Sequence, residues 1–120
     1  FGIARASADL RTTQTLTRTG MAIGTPAYMS PEQATADREV DARTDQYSLA
    51  CVLYEMLTGQ APFMARTTQA VIARHLVDPV PSILSVRSTV PRQVEGAIMR
   101  AMAKVPADRF PSIAAFAEAL

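Results

Sequence analysis

Residues 45–59 read DQYSLACVLYEMLTG, from Asp45 to Gly59. Large apolar side chains stand at Leu49, Val52, Leu53, Met56 and Leu57. The spacing i, i+3, i+4, i+7, i+8 lays them along one stripe of a helix. Cys51 and Tyr54 widen the stripe, which predicts a central helix rather than a peripheral one. Thr44 or Asp45 can cap its start. Gly59 suits the position just past its end, where a left-handed backbone is favoured.

Working outward, the same periodicity recurs. A second helix is predicted from about Thr68 to Val77, with Val71, Ile72, His75 and Leu76 as its inner face. Residues 78–90 contain Pro79 and Pro81 and read as a long connection. Pro91 suits the first position of a third helix, which carries Val94, Ala97, Ile98, Ala101 and Met102 and ends at Pro106. Ser112 can cap a last helix carrying Ile113, Phe116 and Leu120. Upstream the texture changes. Residues 11–19 (RTTQTLTRT) hold five threonines and one large apolar residue, Leu16, and read as an exposed loop. Gly20, Gly24, Pro26 and Pro31 keep the next segment irregular. Strand alternation is scarce, so the fold class is mostly α.

Composition narrows the function classes. The 120 residues suffice for one small domain or half of a larger one. A content of 48% apolar and 19% charged residues is a globular balance and excludes wholesale disorder. Twelve Lys and Arg against eleven Asp and Glu leave a net charge of +1, with no basic excess to drive nucleic-acid binding. One cysteine, Cys51, excludes an internal disulfide or thiolate cluster, and its place on the helix predicts a buried, inert thiol. The one histidine, His75, argues against a His-based zinc site and reads as a structural residue. No apolar run approaches the roughly 20 residues that span a bilayer. The chain opens on Phe1 and closes on Leu120 within an apolar, helix-like stretch, so both ends read as cuts in a longer protein.

Function is carried by motifs. Phe1-Gly2-Ile3-Ala4-Arg5 opens the chain, followed by Gly24-Thr25-Pro26-Ala27-Tyr28-Met29-Ser30-Pro31-Glu32-Gln33. Asp41-Ala42-Arg43-Thr44-Asp45-Gln46-Tyr47-Ser48-Leu49 comes next, then Leu53-Tyr54-Glu55-Met56-Leu57-Thr58-Gly59 with Pro62-Phe63. Lys104-Val105-Pro106-Ala107-Asp108-Arg109-Phe110 stands near the end. Each piece alone is common by chance, but the ordered set closely resembles the C-terminal lobe of protein kinases. Within that family it is similar to the bacterial eukaryotic-like Ser/Thr kinases, starting inside their Asp-Phe-Gly motif. Ser30 stands where the family has Ala, and Ala50 where it often has Gly.

The resemblance implies a protein-kinase-like C-lobe. Residues 1–33 would form the activation segment and substrate loop, and residues 34–120 the helical subdomain. The metal-binding Asp would directly precede Phe1, with the catalytic loop, strand Lys and Gly-rich loop further upstream. The implied activity is transfer of the ATP γ-phosphate to protein Ser or Thr hydroxyls. ATP and Mg2+ would serve the intact kinase. These 120 residues alone would bind neither and would be inactive, and none of them is a catalytic residue. The resemblance further implies protein substrates, a kinase–kinase dimer for trans-autophosphorylation, no nucleic-acid partner, and a cytoplasmic location with any membrane anchor outside this region.

Residue roles follow from the same resemblance. Phe1 and Gly2 are structural parts of the metal motif. Thr25 positions the acceptor hydroxyl; a turn threonine capping a local amide is the plainer reading. Thr17 and Thr19 are activation-loop phosphorylation sites, where phosphate would add charge that Arg5, Arg11 or Arg18 can pair; an unmodified solvated loop is the alternative. Glu32 pairs with Arg109 to pin the substrate loop to the helical body, unless the two are separate solvated charges. Asp45, near the start of the central helix, accepts amides of the catalytic loop, a place where a carboxylate is favoured in any case. A pseudokinase or docking module acting through the helix at 68–77 is the competing reading. Intact Phe1-Gly2 and Gly24-Thr25 favour the enzyme.

Overall fold

The computed structural model describes residues 26–35 and 41–120. The threonine-rich loop and the predicted site residues Phe1, Gly2, Thr17, Thr19 and Thr25 lie outside the described residues. A 3-10 turn at Pro26–Tyr28 leads to α1, Pro31–Ala34. Then come α2, Ala42–Thr58, α3, Thr68–Val77, α4, Arg92–Ala101, a second short turn at Pro106–Asp108, and α5, Ile113–Ala119. No strand occurs among the described residues.

The central helix starts earlier than predicted. Asp41, not Thr44 or Asp45, is its cap: the carboxylate accepts from the Arg43 amide at 2.9 Å. Thr44 is unavailable for capping because its hydroxyl is turned inward to Glu32 at 2.8 Å. At the other end Gly59 takes φ 84°, and its amide bonds the Glu55 carbonyl at 2.7 Å. A Cβ there would meet nothing within 4 Å, so the backbone angle rather than space calls for glycine.

The buried face of α2 is also rotated from the expected stripe. Tyr47, Ala50 and Cys51 are fully buried and Tyr54 nearly so. Leu49, Leu53 and Leu57 are half-buried, whereas Val52 is 38% and Met56 71% exposed. Partners decide this. α4 and α5 pack against α2, whose Tyr47, Ala50, Cys51 and Tyr54 join the core, and Val52 and Met56 fall to its flank.

The remaining helices follow their caps. Thr67 accepts from the Ala70 amide and opens α3 where predicted. Pro91 is the cap of α4 rather than its first residue. That helix stops at Ala101, ahead of Pro106, because the chain tightens into i→i+3 bonds: Met102 N–H to Met99 and Ala103 N–H to Arg100. Ser112 caps α5 through the Ala115 amide, and Phe116 is fully buried beneath it. The connection at 78–90 is anchored by buried Ile83 and Val90. Glu95 of α4 braces it, accepting from the Leu84 amide and the Ser82 hydroxyl, both at 2.9 Å.

Candidate functional site: a capped segment pinned by a buried ion pair

The segment after Gly24-Thr25 is shaped first by local chemistry. Ser30 has extended backbone angles and accepts from the Gln33 amide at 3.2 Å, while its own amide donates to Gln33 Oε1 at 2.9 Å. This reciprocal capping box, with Pro31 at the first helical position, stiffens a helix of only four residues. It turns Glu32 inward.

Arg109 meets Glu32 with a two-pronged fork. Nη1 donates to Oε2 at 2.7 Å and Nη2 to Oε1 at 2.9 Å. The pair is nearly dry, with side-chain exposures of 0% for Arg109 and 7% for Glu32. Such a pair is stable only when its other donors and lone pairs are satisfied. Most are: Arg109 Nε donates to the Ala103 carbonyl at 2.8 Å, Nη1 to the Arg43 carbonyl at 2.9 Å, and Thr44 adds its hydroxyl to Glu32 Oε2. The guanidinium also lies 4.9 Å from the centre of the Tyr47 ring. Burial alone would raise the Glu32 carboxyl, but the hydrogen bonds from Arg109, the backbone and Thr44 outweigh it and hold it below its ordinary value.

Tyr28 fixes the segment to α2 from the other side. Its hydroxyl donates to Glu55 Oε1 at 2.6 Å, and its carbonyl accepts from the Ser48 hydroxyl at 2.7 Å. The Glu55 hydrogen bond, then burial, pushes the Tyr28 phenol up to about 12. Asp45 stands half-buried in the first turn of α2.

Below the Pro26–Tyr28 turn, α2 and α3 share a polar contact within the core. The Tyr47 hydroxyl and His75 Nδ1 are hydrogen-bonded at 2.7 Å. His75 is fully buried and packs edge-on against Phe63, ring centres 4.8 Å apart. Burial, then the charges of Lys104 and Arg74, pushes its pKa down to about 4, against an opposite pull from the backbone of Ala27 and Pro26. The imidazole is therefore neutral near pH 7. The Lys104 ammonium sits 4.5 Å from the Phe63 ring centre, and burial lowers its pKa. Cys51 is buried, and burial pushes its thiol well up. In front of this cluster lies a groove of about 350 Å3, lined by Pro26, Ala27, Phe63, Met64, Thr67 and Val71 among others, with Arg66 on its wall.

The structure thus brings Glu32 and Arg109 together and places Asp45 nearby on the helix that carries Thr44. Sequence reading passed over Gln46, Tyr28 and Glu55, and took Thr44 for a helix cap rather than a partner of Glu32. A polar Gln beside the apolar stripe of a central helix was the available signal for Gln46. Among the described residues no three His, Cys, Asp or Glu side chains gather as metal ligands. Among the same residues no helix is long and apolar enough to cross a membrane.

Comparison with known proteins agrees with this architecture. The protein kinase domain family matches residues 1–116. The chain is 49% identical over 113 residues to serine/threonine-protein kinase PknD of Mycobacterium tuberculosis, covering 93% of this chain and 16% of that protein. It is 45% identical over 115 residues to PknB of Mycolicibacterium smegmatis, covering 95% of this chain and 18% of that protein. Pkn1 of Myxococcus xanthus is 44% identical over 120 residues, which is 100% of this chain and 17% of that protein. The chain thus spans about a sixth of the length of these relatives. Mostly helical, and matched along nearly its whole length, the chain belongs to the protein kinase domain family as a piece of the helical lobe.

Proposed function

We propose that the protein carrying this chain transfers the ATP γ-phosphate to Ser or Thr hydroxyls of protein substrates. The observation that carries the reading is the rigid segment at 26–34, directly behind Gly24-Thr25, clamped by Glu32 and Arg109. A peptide substrate needs a preformed surface that holds its hydroxyl in line, and positioning provides much of the catalysis in phosphoryl transfer. In this reading residues 1–33 are the activation segment and substrate loop, and 34–120 the helical subdomain. Thr25 orients the acceptor hydroxyl. Thr17 and Thr19 take phosphate in trans from a second kinase molecule. Phe1 and Gly2 complete the metal motif, and Asp45 holds the catalytic loop. Protein kinases use ATP and Mg2+, and both are assigned to the intact protein. Its location is cytoplasmic, with any anchor outside this region.

The test uses the full-length protein, Mg-ATP and a generic protein substrate. Wild type is expected to label substrate Ser or Thr. Thr25→Ala is expected to lose about tenfold or more in kcat/KM. Phosphopeptide mapping is expected to find Thr17 or Thr19. A wild-type protein that binds partners but transfers no phosphate would favour the docking-module reading instead.

A further inference from the structure

Gln46 is fully buried on α2, between Asp45 and Tyr47. A buried primary amide is costly unless both its ends are paired. Here Nε2 donates to the Phe110 carbonyl at 3.0 Å, and Oε1 accepts from the Phe110 amide at 2.9 Å. One side chain therefore holds both polar groups of one distant residue.

The Phe110 ring does not need this clamp for its place. It is buried, lies against Phe116 with ring centres 5.7 Å apart, and carries the Arg100 guanidinium 4.2 Å from its centre. The ring locates residue 110, and the Gln46 amide adds orientation. It fixes the plane of the peptide unit that joins Phe110 to Arg109. A guanidinium fork is planar and tolerates little angular error. Whatever turns the Arg109 backbone turns the fork against Glu32, and with it the segment at 26–34.

We propose that Gln46 is a positioning residue for the substrate loop, acting through Arg109 and Glu32. The proposal rests on the kinase reading above, and its test separates the two. Two variants of the full-length protein are compared with wild type. Gln46→Leu fills the space but leaves the Phe110 amide and carbonyl unpaired. Gln46→Glu restores both bonds only when its carboxyl is protonated; ionised, it turns a charge toward a carbonyl. Burial raises such a carboxyl, so the switch falls within reach of an assay between about pH 6 and about pH 8.

The expected result is a peptide KM about tenfold above wild type for Gln46→Leu throughout, and for Gln46→Glu near pH 8 but not near pH 6. The KM for ATP stays within about twofold, since the peptide surface alone is disturbed. Unchanged peptide KM in both variants, with only a lower melting temperature, would overturn the proposal and leave Gln46 a plain core residue. If Gln46→Leu does not fold, Gln46→Glu across the same pH range decides alone. If wild type transfers no phosphate, the kinase reading falls. Amide exchange of residues 26–34 then decides the clamp: about tenfold faster exchange in Gln46→Glu than in wild type near pH 8 supports it, and equal rates refute it.

Discussion

Four of the five Arg109 N–H groups have named acceptors, and both Glu32 oxygens are bonded. A pair so enclosed loses far more when one partner goes than it gained on forming. Arg109→Ala in the full-length protein is expected to cost about 3–5 kcal/mol in urea denaturation. Arg109→Lys keeps the charge but not the fork or the face laid on Tyr47, and falls between the two. An Ala variant within about 1 kcal/mol of wild type would mean that water already reaches the carboxylate. Cys51 allows a cleaner experiment. Its buried thiol, pushed up by burial, is expected to resist alkylation in the native protein and to react once denatured, as read by mass spectrometry of its peptide. Rapid native labelling would place α2 in a looser setting than described. At this scale the sequence was unevenly legible. A contact across 77 positions lies beyond any local pattern, so Glu32 and Arg109 were joined only through the family resemblance. The Gln46 clamp, across 64 positions, had no such guide.

At the level of elements, periodicity found α2 to α5, missed α1 in the segment read as irregular, where Pro31 and the Ser30 capping box start a helix, and misjudged one face. The bounds of α3 match because Thr67 caps its start and the connection beyond Val77 carries two prolines. The α2 stripe was misread because hydropathy ranks Val and Met above Ala and Tyr, while packing favours whichever side neighbours can approach. Ala50 and Cys51 are small, and the other helices close over them. A consequence can be measured. Tyr54→Ala is expected to cost about 3 kcal/mol or more, whereas Met56→Ala stays within about 0.5 kcal/mol. Equal losses would restore the original stripe. Asp41→Ala should cost about 1 kcal/mol through its lost cap, and Asp41→Ser should recover most of it.

For the molecule as a whole, acid is the expected weakness. His75 titrates near 4 when folded and near 6.5 when not, so the folded state binds fewer protons in between. Its stabilisation is complete above about 6.5 and disappears as pH falls toward 4, a loss of about 3 kcal/mol. Glu32, held below its ordinary 4.5, adds a second loss beneath that value. The groups facing His75 are Tyr47 from α2, Arg74 on its own helix and Lys104 after α4, and neither cation favours a third. Melting temperature is expected to drop between pH 7 and 4, and His75→Gln should flatten the upper part of that drop. A flat wild-type profile would show that folding leaves the His75 proton affinity unchanged, against the burial described above. The chain alone also carries Val52 and Met56 on one exposed flank of α2, so the 120-residue piece is expected to self-associate with rising concentration, and Val52→Glu with Met56→Lys to suppress it.

The separation of Glu32 from Arg109 also sets an order in time. A ribosome adding roughly 5–20 residues each second exposes the carboxylate about 4–15 s before its partner exists. Through that interval Glu32 stays hydrated, and the loop it governs has nothing to be fastened to. The fork closes only after the second short turn has been made. Defects in it should therefore hasten unfolding more than they delay folding. The segment at 26–34 is among the last parts of this chain to take its final form.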